Sequence, residues 1–120
     1  MLSLETIIHG NVKNIVAIKD GVRCASIEYI ESLEKKEKIK IIAVLKNMAD
    51  RGEIRNIEKF RQLEDKIYEF KAQKARVFCF LYQNNVVCTH GADKPKPRRL
   101  KIEIEKTKKI IEQFLQERGK

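Results

Sequence analysis

Three side chains able to move protons or grip an anion stand close together in the second half of the chain: Lys71 in KIYEFK, Arg76 in ARVFCFLYQ and His90 in VVCTHG. Arg76 interrupts an otherwise apolar strand pattern, on the face that alternation gives to Phe78, Phe80 and Tyr82. Its guanidinium stays charged and meets phosphate oxygens with two parallel donors. The competing reading is a strand-edge arginine whose stem covers the core. Lys71 closes the preceding strand, so a hairpin would bring Lys71 and Arg76 to one phosphate, with Glu69 on the face of Lys71. Equally, Glu69 and Lys71 form an ordinary exposed pair worth at most ~1 kcal/mol. His90 has an ordinary pKa near ~6.5, which suits acid or base work at neutral pH. Nearby cations would push that value down. A structural histidine bonding a loop carbonyl fits the position as well.

The stretch HGADKPKPRRLKIE continues from His90. Pro95 and Pro97 fix φ and remove two backbone donors. The stiffened segment would present Lys94, Lys96, Arg98 and Arg99 to a nucleic-acid backbone, or merely to water. Tyr82, near a strand end, is a candidate for stacking on a base, although such aromatics more often belong to the core. These residue types suit RNA cleavage without a metal. The substrate's 2′-hydroxyl attacks the adjacent phosphate, a group accepts its proton, another protonates the leaving 5′-oxygen, and cations stabilise the transition state. No HExxH, P-loop or Gly-rich dinucleotide motif is present, so no cofactor and no metal is expected.

The charge distribution points the same way. The chain of 120 residues has 26 Lys and Arg against 17 Asp and Glu, a net charge of +9. Residues 61–120 hold 15 of the cations, and eight of these lie between Lys94 and Lys109. Such a patch fits a polyanion, or a solvated helix face on a basic protein. Cys24, Cys79 and Cys88 have wide spacings that suit neither a zinc site nor a disulfide framework. No apolar run approaches the ~20 residues of a membrane span. The opening residues lack the basic and small-residue signals of a leader, so the cytoplasm is the expected location.

Positioning these groups requires a sheet and helices. NIVAIKDG reads as a strand. Residues 24–52 read as a helical hairpin, with a break near Glu34 to Lys36 and a stop at Gly52. EIRNIEKFRQLED reads as a connector that pins Ile57, Phe60 and Leu63 to the core. Residues 66–71, 75–83 and 86–91 read as three antiparallel strands, with a tight turn at Asn84-Asn85. From Pro97 the chain is helical, with Leu100, Ile104, Thr107, Ile111, Phe114 and Leu115 on one side. The expectation is one α+β domain over residues 1–120: a small antiparallel sheet, an N-terminal helical hairpin and a C-terminal helix. Residues 1–13 are an uncertain N-terminal extension, in which ETIIHG reads either as a short strand turning at Gly10-Asn11 or as a loose arm.

Taken in order, KIYEFKAQKARVFCFLYQNNVVCTHG and EIEKTKKIIEQF resemble the RelE/HigB superfamily of bacterial toxins, in its phage-derived, HigB-like branch. That branch reads a strand with E-L-R, a strand with R and aromatics, a strand ending in H-G, a lysine-rich loop, and a helix opening with E-I-E. The counterparts are Glu69-Phe70-Lys71, Arg76 with Phe78 and Phe80, His90-Gly91, Lys94 to Arg98, and Glu103-Ile104-Glu105. The resemblance implies a RelE-like fold and a toxin that cleaves mRNA on the ribosome until a cognate antitoxin, of helix-turn-helix type, neutralises it. It implies no membrane and no small-molecule cofactor. Lys71, Ala92 and Pro95 depart from the pattern. They keep two other readings open: a non-catalytic RNA-binding module, and a degenerate toxin retained only to bind its antitoxin.

Overall fold

The computed structural model describes residues 1–119, which form a six-stranded sheet covered on both faces by helices. In chain order the elements are β1 (Leu2–His9), β2 (Asn14–Asp20), α1 (Ala25–Ser32), α2 (Lys35–Arg51), β3 (Phe60–Glu64), β4 (Ile67–Ala72), β5 (Ala75–Tyr82), β6 (Asn85–Asp93) and α3 (Pro97–Arg118). The sheet order is β1-β2-β6-β5-β4-β3. The pair β2 and β6 is parallel, and the other neighbours are antiparallel.

The expected α+β class, the helical hairpin and the C-terminal helix are present. The placement of the hairpin is corrected. Two strands precede it, so the N-terminal part of the chain is strand rather than helix, and the sheet is larger than expected and mixed. Residues Leu2–His9 pair along the whole of β2. The segment read as a connector contains β3, because Phe60 to Glu64 find partners on β4. Pairing across the chain decided both elements, and no local pattern carries that information.

Alternation along the strands sorts the apolar residues between two cores. Ile15, Phe70, Val77, Cys79 and Cys88 pack against Ile30, Ile41, Leu45 and Met48 of α1 and α2. Val16, Ile18, Ile67, Phe80 and Val87 pack against Ile104, Ile111 and Phe114 of α3. A sheet buried on both faces needs nearly continuous apolar strands, and β5 and β6 have them. The hairpin turns at Leu33 and Glu34, both extended. Gly52 ends α2 in the left-handed conformation (φ 81°), with its N–H donated to Met48 O at 2.8 Å.

One irregularity aims a functional candidate. Phe78 is opposite His90 while the next residue, Cys79, is opposite Cys88, so Thr89 is an extra residue in β6. This bulge shifts the alternation. In a regular strand His90 would share the face of Cys88 and point towards α1. With the bulge it points towards α3.

Candidate nucleic-acid interface

On the α3 side of the sheet, the strand registers bring a set of charged residues together. Lys71 is directly opposite Arg76, Arg61 is opposite Glu69, and Arg76 is opposite Ala92. Glu69 is only 1% exposed. Its Oε2 accepts from Arg61 Nε at 2.9 Å and Nη2 at 2.6 Å, and its Oε1 lies 3.8 Å from Arg76 Nε. Arg76 is also buried, and its Nη1 donates to Gln73 O at 2.6 Å and Ala75 O at 2.9 Å. The two Nη1 bonds therefore orient the guanidinium, Glu69 pairs with it at longer range, and Nη2 takes no part in these contacts. A buried carboxylate beneath two arginines is stable only as a paired group, which explains why Glu69 pairs with both of them.

Lys71 lies half-buried at the same end of β4, with Nζ donating to Ile57 O at 3.3 Å. Burial lowers its pKa, and the charges of Arg61, Arg76 and Lys94 lower it further against the opposing pull of Glu69. The expected pairing of Glu69 with Lys71 gives way to Arg61, which stands directly across from Glu69 on β3.

His90 is 3% exposed and has a partner on each ring nitrogen. Nε2 lies 3.1 Å from Glu103 Oε1, and Nδ1 lies 2.9 Å from Thr89 Oγ1. A neutral ring facing a carboxylate carries its proton on Nε2, so Nδ1 accepts from the Thr89 hydroxyl. The ring also stacks on Phe78 with centroids 4.9 Å apart. Burial lowers the pKa of His90, and Lys106 adds to the effect, while Glu103 opposes both. Glu103 is itself buried and accepts from Arg99 Nε at 3.2 Å. His90 thus ties β6 to the first turns of α3.

The basic segment divides between loop and helix. Lys94 donates its N–H to Lys74 O, Lys96 is the N-cap of α3, and Pro97 is the first helical residue. Proline suits that position because its missing N–H has no intrahelical partner there. Lys94, Lys96, Arg98 and Arg99 are exposed. The first turn of α3 contains no acidic residue, so its backbone N–H groups and these cations add at one end of the helix. On the opposite side of β6, the Tyr29 hydroxyl donates to Asp93 Oδ1 at 2.9 Å, and its ring covers Gly91.

Lys71, Arg76, His90 and the start of α3 therefore belong to one end of the sheet. Tyr82 does not join them. It sits six residues from Arg76 on β5, ~20 Å along the strand, and packs edge-on against Phe114 at 5.0 Å. Sequence reasoning passed over Arg61, Thr89 and Tyr29, and quoted Glu103 without giving it a role. Arg61 lay in a segment read as a connector, and the Thr89 bulge has no local signature. Glu103 had a signal in being a carboxylate on the side of α3 that turns Ile104 and Thr107 inward.

Among the described residues no three His, Cys, Asp or Glu side chains converge to hold a metal ion, and no helix is long and apolar enough to cross a membrane. A two-faced α+β sheet with a basic end is the class of protein that this geometry defines. Residues 28–113 match the family described as Phage derived protein Gp49-like (DUF891), and the chain belongs to that family. The family is associated with the toxins of toxin–antitoxin systems. The match spans most of the hairpin, β3 to β6 and most of α3, and leaves β1 and β2 outside it. No curated protein matches the chain.

Proposed function

We propose that the protein is the toxin of a toxin–antitoxin pair and an endoribonuclease that cleaves mRNA on the ribosome, with the RNA's own 2′-hydroxyl as nucleophile. One observation carries this reading: Arg76 and Lys71 stand opposite each other on adjacent strands, with the Arg76 guanidinium oriented by two carbonyls and paired with buried Glu69. A fixed cation opposite a lysine of lowered pKa suits phosphate cleavage. Arg76 stabilises the charge that develops on the phosphorane. Lys71, which gives up its proton more readily than an ordinary lysine, takes the proton of the 2′-hydroxyl, and solvent water protonates the 5′-oxygen as its bond to phosphorus breaks. His90 acts through Glu103 as a positioning residue, since both of its nitrogens are engaged and its ring is buried. Lys94, Lys96, Arg98 and Arg99 bind phosphates on either side of the scissile one. Tyr82 has no part in this arrangement. The neutralising partner is a cognate antitoxin that brings acidic segments to the basic end of the sheet.

Expressed alone in a bacterial host, the wild type is expected to arrest translation. Purified with programmed ribosomes, it should leave a 2′,3′-cyclic or 3′-phosphate upstream and a free 5′-hydroxyl downstream. Arg76→Ala should lower the cleavage rate by ~10²–10³ with an unchanged circular dichroism spectrum. A 5′-phosphate on the downstream fragment would point to an activated water and remove this mechanism. A harmless wild type would favour retention for antitoxin binding alone.

A further inference from the structure

Beside the basic end of the sheet lies a cleft of about 550 Å³, on the opposite face, between α2 and the end of β4. Its floor contains Val44 and Ala72, and its walls contain Lys40, Asn47, Lys59 and Gln73. Lys71 lines it as well, although this lysine also feels the charges of Arg61 and Arg76 on the other side. Three lysines face a single carboxylate, Glu58. A second hollow of about 610 Å³ shares Asn47 and Lys59 and continues past Arg51 and Arg55. Cations therefore continue from Arg76 past Lys71 at the end of β4 to Lys59 and the clefts, where Arg55 is paired with Glu53.

The lining has the chemistry of a nucleotide site. An apolar floor accepts the face of a base, side-chain amides pair with base edges, and lysines meet the phosphate. Single-stranded RNA is the polymer that offers all three at a regular spacing. An acidic polypeptide would use the lysines but not the amides and floor together.

We propose that this cleft seats a nucleotide of single-stranded RNA that flanks the one held at Arg76, its base against Val44 and Ala72 and its phosphate met by Lys40 and Lys59. The proposal rests on the reading of the sheet face as an RNA site and extends it past the end of β4. Lys71 lies where the two sites meet, so RNA long enough to pass the end of β4 binds more tightly than RNA confined to the face.

The test compares a 12-nucleotide single-stranded RNA, followed by fluorescence anisotropy, with a trinucleotide, followed by chemical-shift titration. The variants are Lys40→Gln/Lys59→Gln, which removes charge, and Ala43→Trp, which fills the cleft and leaves its charge intact. Both should weaken the 12-mer, Ala43→Trp by roughly tenfold, and leave the trinucleotide unaffected. The double variant should also flatten the log–log salt dependence by ~0.7 for each phosphate that the protein no longer neutralises. Equal effects on both RNAs, or an effect on neither, would overturn the proposal. Loss of polyglutamate binding with RNA binding intact would assign the cleft to an acidic polypeptide instead. Loss of AMP binding alone would assign it to a free nucleotide. Failure of the wild type to bind either RNA would remove the reading of the sheet face itself, and this extension with it.

Discussion

Protonation of His90 meets different groups on each side of the ring. Glu103 welcomes the extra charge, while Lys106 and the dry setting against Phe78 resist it, and the net effect is a lowered pKa. In the unfolded chain the same group titrates near its ordinary value of 6.5. The unfolded state therefore binds the proton first, and stability falls as pH drops through 6.5 towards the folded pKa. His90→Gln keeps an amide donor for Glu103 and an acceptor for Thr89 but does not titrate. Urea denaturation at pH 7 and pH 5 should show a smaller acid loss for the variant than for the wild type. Equal losses would mean that the ring is not held in its neutral form. At this scale Arg76, Lys71 and His90 could be picked out from type and setting, because a lone cation in an apolar strand is conspicuous. Their partners could not. Glu69 chooses between Arg61 and Lys71 by a register across β3 and β4, and that register is a property of the folded sheet.

Among the elements, the long amphipathic helices and the β4–β6 meander were legible because hydrophobic period and turn residues agree there. The edge strands were not. β3 is five residues long, mostly exposed and bulged between Gln62 and Glu64, which are features that protect an edge but blur its pattern. The joint between α1 and β6 was also invisible. A Cβ on Gly91 would collide with the ring of Tyr29, whose hydroxyl holds Asp93 just before the basic segment. Gly91→Ala should destabilise the fold by ~1–3 kcal/mol through overpacking. Tyr29→Phe keeps the ring and loses only the hydroxyl's bond, so it should cost ~0.5–1.5 kcal/mol. The penalty of Gly91→Ala should shrink in a Tyr29→Leu background, where the collision is relieved. Chemical denaturation of these variants and their parent measures this coupling, and strict additivity would refute the close approach of ring and glycine.

Across the whole molecule, stability and the proposed chemistry sit at opposite ends of α3. Its 22 residues span ~33 Å. The N-terminal end meets His90 through Glu103, and the C-terminal end meets β1, where Leu2 donates its N–H to Glu117 Oε1 at 2.7 Å. Leu2 joins Phe114 in the core beneath α3. β1 lies outside the segment matched by the family, and this fastening joins it to the helix whose first turn carries basic residues. Residues 1–13 were hard to place from sequence because their apolar side chains divide between two distant partners: Leu2 and Leu4 pack on the α3 side of the sheet, and Ile7 and Ile8 on the α2 side. Leu2→Ala should open a cavity there and cost ~2–5 kcal/mol. At this chain length the melting temperature should fall by about 4 °C for each kcal/mol. The basic end should be untouched, so RNA binding per folded molecule should equal that of the wild type at a temperature where both are native. Differential scanning calorimetry and anisotropy on the same samples test both halves. Weakened binding at full nativeness would show that β1 reaches the site through α3, and that the two ends of the helix are not independent.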